Sequence, residues 1–403
     1  MVEPKVLVIS ARRTSRLLGS GAIYEFEDSI ARFESADFAE ILTTETSTRL
    51  VFTQRINTAI RVASHGRFGN AGPMPWPADA TVDRDYDLCV LCCDSIFNIR
   101  LINLIRHARQ RSKKVVVYVP EVWPAVFEDR RIRTQPYGLV DHFFIGSESS
   151  VDRLAEASRR PVTPLPPAVD TKRFEPVLPW AERPIHVAWT GRRLAPMHAD
   201  LRRLVDEHRW FYYYDGFTSG STDDPAAQRE WLAYLMGRSR FSISHYARVD
   251  QPEIHRGNRV VTSRFFESAA AGAVQVGAAP DTPWYHAMGE WPGSMIDIAV
   301  DEPRLDLILL ELARDEARMD AISRRNVAFS LRRNDWGHRW ATIVDAVGFR
   351  RSAKLRKHLD DLEARAQRWD VASPAVSAGA SQALAAVSRA GLAVPATGEA
   401  HLT

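Results

Sequence analysis

Residues 87–119 read DLCVLCCDSIFNIRLINLIRHARQRSKKVVVYV, and this stretch decides the fold. Asp87–Cys93 and Val115–Val119 are continuous apolar runs rather than alternating ones, the pattern of strands buried on both faces of a parallel sheet. Between them, Asn98–Arg111 has the length and spacing of a helix, so the three pieces form a right-handed βαβ crossover. Outward from this unit, Val6–Ile9, His142–Ile145 and Val162–Leu165 read as further strands, with a helix expected over Ser149–Ser158. The stretch LPPAVDTKRFEPVLPWAERP, residues 165–184, then interrupts the pattern with five prolines, each of which removes a backbone donor. Beyond it the alternation restarts. His186–Trp189, Phe211–Tyr214, Phe241–Ser244 and Ala273–Gly277 are expected strands. Ala226–Met236, Ser263–Ala271, Arg304–Ala313 and Arg318–Leu331 are expected helices. The fold class is α/β, with two doubly wound units, and the default ligand site is the cleft between them at the carboxyl ends of their strands.

The chain has 403 residues, of which 45% are hydrophobic and 26% charged, enough to build two cores. No apolar run approaches the roughly 20 residues that span a bilayer, and the N-terminus MVEPKVLVIS enters a strand without a signal-peptide layout, so a cytoplasmic protein is expected. A net charge of +3 is too balanced to indicate nucleic-acid binding. Only six of the 53 basic residues are lysine, and the arginine that replaces it offers a planar, permanently charged fork suited to phosphate. Cys89, Cys92 and Cys93 lie within an apolar run and read as buried strand thiols rather than metal ligands or disulfides. After Trp336 the chain is helical and charged. Leu355, Leu359, Leu362, Ala366 and Trp369 form an apolar stripe two heptads long, expected to pack on its own domain rather than in a coiled coil. From Ala372 the composition collapses to Ala, Ser, Val and Gly, which predicts a disordered tail.

Four segments together resemble the GT-B glycosyltransferases, and within them the group-1 branch that includes bacterial transferases similar to the spore-maturation type. They are VDHFFIGSESSVDRL…VTPLPPAVDTKRFEP (140–176), HVAWTGRR (186–193), NRVVTSRFFESAAAGAVQVG (258–277) and ISRRNVAFSLRRNDWGHRW (322–340). The resemblance covers roughly residues 85–345; the first 80 residues match only in an opening strand and a glycine-containing loop. It implies two Rossmann-like domains facing a cleft. Residues 1–170 would form the acceptor-side domain, 171–184 the linker and 185–335 the nucleotide-sugar donor domain. Residues 336–370 would be closing helices and 371–403 a flexible tail.

The candidate donor residues begin with Arg264 and Glu267, one turn apart on the helix of SRFFESAAAG. Helix N-termini and arginine attract phosphate oxygens, and a carboxylate can accept both hydroxyls of a ribose. The resemblance assigns Glu267 that ribose role; the other reading is an internal Arg–Glu pair. The family pattern carries a second glutamate eight positions earlier, where this chain has Arg259. That residue normally touches the donor sugar. Gly191, Arg192 and Arg193 follow a strand and offer backbone N–H groups and guanidinium to a diphosphate. Arg256 and Arg259 could complete a cationic clamp on the leaving nucleoside diphosphate.

In the first unit, Glu121 directly follows a strand in VPEVWP and could orient or deprotonate an acceptor hydroxyl, or simply occupy a turn. His65 in ASHGRFGN is a second catalytic candidate, with a structural role as the alternative. Gly19 and Gly21 suggest a loop near the cleft, and Glu25, Glu27 and Asp28 a helix start favoured by its dipole. Asp281, Trp284 and Tyr285 could touch the donor or finish a turn. No DxD pair is placed to hold a metal, and Asp223–Asp224 read as turn residues, so neither metal nor cofactor is expected.

The leading expectation is transfer of a sugar from a nucleoside-diphosphate sugar to an acceptor hydroxyl on a glycan, lipid or natural product. By resemblance it would be retaining and metal-independent, with no nucleic acid or transmembrane segment and with a homodimer as one assembly. The alternatives are an inverting transferase or epimerase of the same fold, and a catalytically silent nucleotide-sugar or glycan-binding member.

Overall fold

The computed structural model describes residues 3–15, 17–44, 47–63, 75–215, 222, 224–289, 291–302 and 304–370. Its first sheet contains β1 (Val6–Ser10), β2 (Asp37–Glu40), β4 (Tyr86–Cys92), β6 (Ser112–Val119), β7 (His142–Ile145) and β8 (Val162–Pro164), after a two-residue side pair of β3 (Ala80–Thr81) with β5 (Ile105–Arg106). All neighbours in the order β2-β1-β4-β6-β7-β8 run parallel. Its helices are α1 (Gly21–Glu34), α2 (Thr48–Ala63) and α3 (Val151–Ser158). A second parallel sheet, in the order β10-β9-β11-β12-β13, uses β9 (Ile185–Trp189), β10 (Tyr212–Tyr214), β11 (Ser239–Ile243), β12 (Val274–Gly277) and β13 (Ile296–Asp297). Between and after the sheets come α4 (Thr171–Phe174), α5 (Ala195–His208), α6 (Pro225–Met236), α7 (Pro252–His255), α8 (Ser263–Ala270), α9 (Leu305–Arg314) and α10 (Glu316–Arg333). The chain closes with α11 (Trp336–Ala346) and α12 (Ala353–Trp369). Both sheets belong to one compact unit, Met1–Asp370. Among the described residues no helix is long and apolar enough to cross a membrane. The tail from 371 lies outside the described residues.

Nine of these strands fall where the apolar runs placed them, because a strand covered on both faces must be apolar throughout; the edge strands β2 and β13 and the short β3–β5 pair carry no such run and are not expected from the sequence. Cys89, Cys92 and Cys93 are all buried, and burial pushes the Cys89 thiol up to about 12. The segment expected to be a helix at Asn98–Arg111 is instead a 3-10 helix, Ile96–Leu104, running into β5. Tertiary pairing overrides helix propensity there. Leu104 O accepts from Asp79 N–H at 2.8 Å and Arg106 O from Val82 N–H at 2.9 Å, which an α-helix would forbid.

The last two helices return to the first sheet. Trp336, Trp340 and Leu355 share a core cluster with Val8, Phe26, Phe33 and Tyr118. The expected apolar stripe of α12 is therefore shared: Leu355 joins this cluster, while Leu362 and Ala366 pack on Val327 and Leu331 of α10. Buried Asp335 fastens the crossing. It caps α11 through Gly337 N–H at 2.8 Å and accepts Thr171 N–H at 3.1 Å and Thr171 Oγ1–H at 2.7 Å; His358 of α12 lies at 2.7 Å. Burial opposes the charge, but His358 and these donors outweigh it and hold the carboxyl down at about 2.

Helix α1 begins at Gly21, so Glu25 and Glu27 lie in its second turn instead of at its start, and both are buried. Glu27 accepts from Ser10 Oγ at 2.6 Å and from Arg12 Nη2 at 3.0 Å, but its Oε1 has no hydrogen-bond partner. Burial pushes its carboxyl up to about 7 against the pull of Ser10 and Arg12.

These two carboxyls have opposite pH signatures. Asp335 has a depressed pKa, so its contribution is present above the ordinary aspartate value and disappears as pH falls towards about 2. Asp335→Ala should cost about 3–5 kcal/mol in urea unfolding near neutral pH, with the difference from the native chain shrinking in acid. Glu27 has a raised pKa, so the folded state binds more protons than the unfolded one between the ordinary glutamate value and about 7. Stability should fall as pH rises across that window, by about 3 kcal/mol. Urea titrations of Glu27→Gln at a series of pH values should lose this component; an unchanged slope would remove Glu27 as its source.

Candidate functional site

In each sheet, successive strands run one way and then the other from a central pair, β1 and β4 in the first and β9 and β11 in the second. Loops leaving such a pair at its carboxyl end diverge and open a crevice. In the first sheet this crevice is a cleft of about 870 Å³. Thr14, Ser15 and Gly19 line it after β1, Asp94, Ser95 and Asn98 after β4, and Tyr118, Pro120 and Glu121 at the end of β6. The opposite wall brings Arg248, Val261 and Ser263 from the second half, with Trp336 from the returning helix.

Glu121 thus lies on the cleft, where its sequence position placed it. Its carboxylate accepts from Trp123 Nε1 at 3.0 Å, and Arg248 Nη2 stands 3.6 Å away across the cleft. Arg248 adopts the left-handed region, φ 60°, an uncommon conformation for a non-glycine residue, and also donates to Gln251 Oε1 at 3.0 Å. The loop carrying Glu121 packs closely on Gly146: a Cβ there would sit 2.1 Å from Pro120 O. His65 lies outside the described residues, as does Asp223.

At the corresponding carboxyl end of the second sheet, Thr190 and Gly191 follow β9 and His245 lies beyond β11. Gly191 has φ 90°, a conformation that glycine adopts without strain, and a Cβ there would be 3.3 Å from Arg264 Nη2. Its N–H donates to Asp215 Oδ2 at 2.9 Å, and Arg193 Nη1 donates to Asp215 Oδ1 at 2.9 Å. Arg192 pairs with Asp250 at 3.0 Å. Two buried polar atoms here, Thr190 Oγ1 and His245 Nε2, have no hydrogen-bond partner. His245 Nδ1 accepts from Ala278 N–H at 3.0 Å, so Nε2 carries the proton. Burial lowers this imidazole to about 4, leaving it neutral at pH 7.

Helix α8 starts at the cleft. Ser263, its first residue, lines the cleft, and Thr262 before it makes no side-chain cap. Its N-terminal amides therefore favour an anion. Arg264 donates from Nη1 to Glu267 Oε2 at 2.7 Å, while Glu267 Oε1 is taken by Arg229 of α6. Glu267 is only 2% exposed. Burial opposes its ionisation, but Arg229 and Arg264 outweigh that and hold it below the usual carboxylate range.

The structure therefore brings Gly191, Arg264 and Glu267 together. Arg256 instead pairs with Glu128 of the first half, at 3.0 Å through Nη2, and Arg259 lies over the Tyr246 ring at 5.5 Å. Arg259 also borders a separate cavity with Asp281, Tyr285 and His286. Trp284 N–H donates to Glu148 at 2.9 Å, and Asp281 is 2.9 Å from His286 Nε2.

Sequence reasoning missed Arg229 and read Glu25 only as a helix-start residue. Glu25 Oε1 accepts from Asp170 N–H at 2.7 Å, Trp336 Nε1 at 3.0 Å and Arg229 Nη2 at 3.2 Å; its Oε2 accepts from Arg229 Nε at 3.0 Å and Arg173 Nη1 at 3.3 Å. The available signal was a carboxylate on the apolar face of a helix, since Tyr24, Phe26 and Ile30 are buried beside it. Its partners lie up to 311 positions away, beyond the reach of local spacing.

No family model and no curated protein matches this chain. Solved structures do match its architecture. The Anabaena protein HepE in complex with UDP-glucose is 12% identical with a TM-score of 0.50, over 85% of this chain and 99% of that one. An α-glucosyltransferase in complex with UDP and a 13-mer DNA containing an HMU base is 11% identical with a TM-score of 0.51, over 86% of this chain and all of that one. These likenesses, with the two parallel sheets and the cleft between them, show a GT-B fold.

Proposed function

We propose that this protein is a glycosyltransferase that takes a sugar from a nucleoside-diphosphate sugar and attaches it to an acceptor hydroxyl. The observation that carries the reading is the start of α8: an uncapped helix N-terminus at the cleft wall, followed by Arg264 beside Gly191 and by Glu267. Thr190 Oγ1 and His245 Nε2, buried and unpartnered at the neighbouring strand ends, supply polar atoms for a ligand to satisfy. Two solved structures of this fold are complexes with UDP-glucose or UDP, which supports a nucleotide donor here.

In this reading the α8 amides and Arg264 stabilise the diphosphate as the bond from the anomeric carbon to its oxygen breaks. Glu267 receives the ribose hydroxyls. Glu121, across the cleft, orients the acceptor hydroxyl whose oxygen forms the new bond. Its proton passes to the departing phosphate oxygen, so no separate nucleophile is needed and configuration is retained. The same chemistry asks for no metal. The narrower kinship is with the group-1 branch and its spore-maturation-type members. Burial of the Cys89, Cys92 and Cys93 side chains agrees with a reducing, cytoplasmic setting.

A silent nucleotide-sugar-binding role is the second reading. It is favoured by Arg259 standing where the family places a glutamate, and by Glu267 having both oxygens already engaged. Thermal unfolding with UDP, GDP, TDP or ADP, with and without magnesium, should show a rise with one diphosphate. At about 100 times its dissociation constant the stabilisation should be about 2.7 kcal/mol, and Glu267→Ala should abolish it. A rise without transfer to any acceptor supports the silent role, and no rise with any nucleotide overturns both readings.

A further inference from the structure

This inference rests on the transferase reading and concerns how its donor carboxylate is held. Two guanidinium groups grip Glu267: Arg264, one turn earlier on the same helix, and Arg229 from α6. The remaining N–H groups of Arg229 reach Glu25 on α1, which belongs to the first half, at 3.0 and 3.2 Å. Helix α1 lies against α6 closely enough that a Cβ on Gly21 would be 3.2 Å from Arg229 Cδ. Glu25, Arg229 and Glu267 are each at most 3% exposed, so water screens these charges little. Glu25 also receives Asp170 N–H and Trp336 Nε1, from the two places where the chain crosses between the halves.

We propose that Arg229 is a positioning residue for the donor nucleotide, and that Glu25 couples it to the first half, so that nucleotide binding depends on α1 being docked on α6. An ionised carboxylate has about four lone-pair sites on its two oxygens. With Arg229 on one oxygen and Arg264 on the other, each oxygen keeps a site for a ribose hydroxyl. Arg229 can stay on one oxygen only because Glu25 holds the rest of its fork. Released from Glu25, the planar fork closes on Glu267 in bidentate fashion and occupies the sites the ribose needs. A displacement of the first half is thereby conveyed to the ribose site through one rigid group.

The test is isothermal titration of UDP, GDP, TDP and ADP into the full chain, native and in the variants Glu25→Gln, Glu267→Gln and the double variant. Circular dichroism confirms each fold. Glu25→Gln should weaken binding by about tenfold, and the double variant should be no more than about twofold weaker than Glu267→Gln alone, the non-additivity expected of coupled groups. Arg229→Lys keeps the charge but loses the fork, and should weaken binding to a similar extent; it stands in if Glu25→Gln does not fold. Catalytic assays should show the change in the KM for the donor, leaving the KM for the acceptor unaltered. Unchanged affinity in both Glu25→Gln and Arg229→Lys, or additive effects in the double variant, would overturn the coupling while the transferase reading stands. Absence of nucleotide binding by the native chain would overturn the reading and the coupling together.

Discussion

The Glu25 carboxylate is the constraint around which the rest of the molecule is arranged. It is buried on α1, and a bare carboxylate in that position would be strongly disfavoured. The fold satisfies it with five donors drawn from three separate segments: the linker at Asp170 and Arg173, the second half at Arg229, and the returning helix at Trp336. A buried charge of this kind adds little net stability compared with an apolar replacement, but removing one partner leaves the others unpaired. That asymmetry makes the network specific: only a narrow range of relative placements of the two sheets satisfies all its members.

The same geometry governs the cleft. Trp336, which donates to Glu25, also forms part of the cleft wall and stacks on Phe26 with ring centroids 4.6 Å apart. Asp335, one residue earlier, ties α4, α11 and α12 together. The crossing from second half to first is therefore fastened by polar groups on one side and aromatic packing on the other. Arg339 reinforces it from α11, with Nε donating to Pro166 O at 2.8 Å and Nη2 to Pro167 O at 3.0 Å, in the linker that carries the chain the other way. Outgoing and returning segments are thus held to each other directly beneath the cleft.

Chemically, the two crevices are unlike. The cleft at the first sheet is broad and lined by hydroxyls, an amide, carboxylates and the guanidinium groups of Arg100, Arg131 and Arg248, so it is polar with charges of both signs. The second is narrower in its chemistry: an uncapped helix start, a glycine with positive φ, a guanidinium and two unpartnered buried polar atoms.

The amino-acid sequence alone determined the central strands, because a strand buried on both faces must be continuously apolar, and runs such as VVVYV at 115–119 admit little else; the edge strands β2 and β13 carry no such run. It also located Glu121 at a strand end and Arg264 and Glu267 on one helix, since both follow from short-range spacing. The resemblance supplied the GT-B architecture from motifs that are themselves local. What only the tertiary structure decided is every relation between distant segments. The segment at 96–104 winds as a 3-10 helix because Leu104 and Arg106 pair with an edge that sequence spacing does not reveal. Arg256 meets Glu128 and not the Gly191 loop, and α12 divides its apolar stripe between two cores. Glu25 reads in the sequence as a helix-start residue, but partners some 145 to 311 positions away enclose it. The physical reason is common to all of these: periodicity and propensity report on neighbours within a turn or two, whereas buried charges are satisfied by whichever groups the folded chain brings within hydrogen-bond reach.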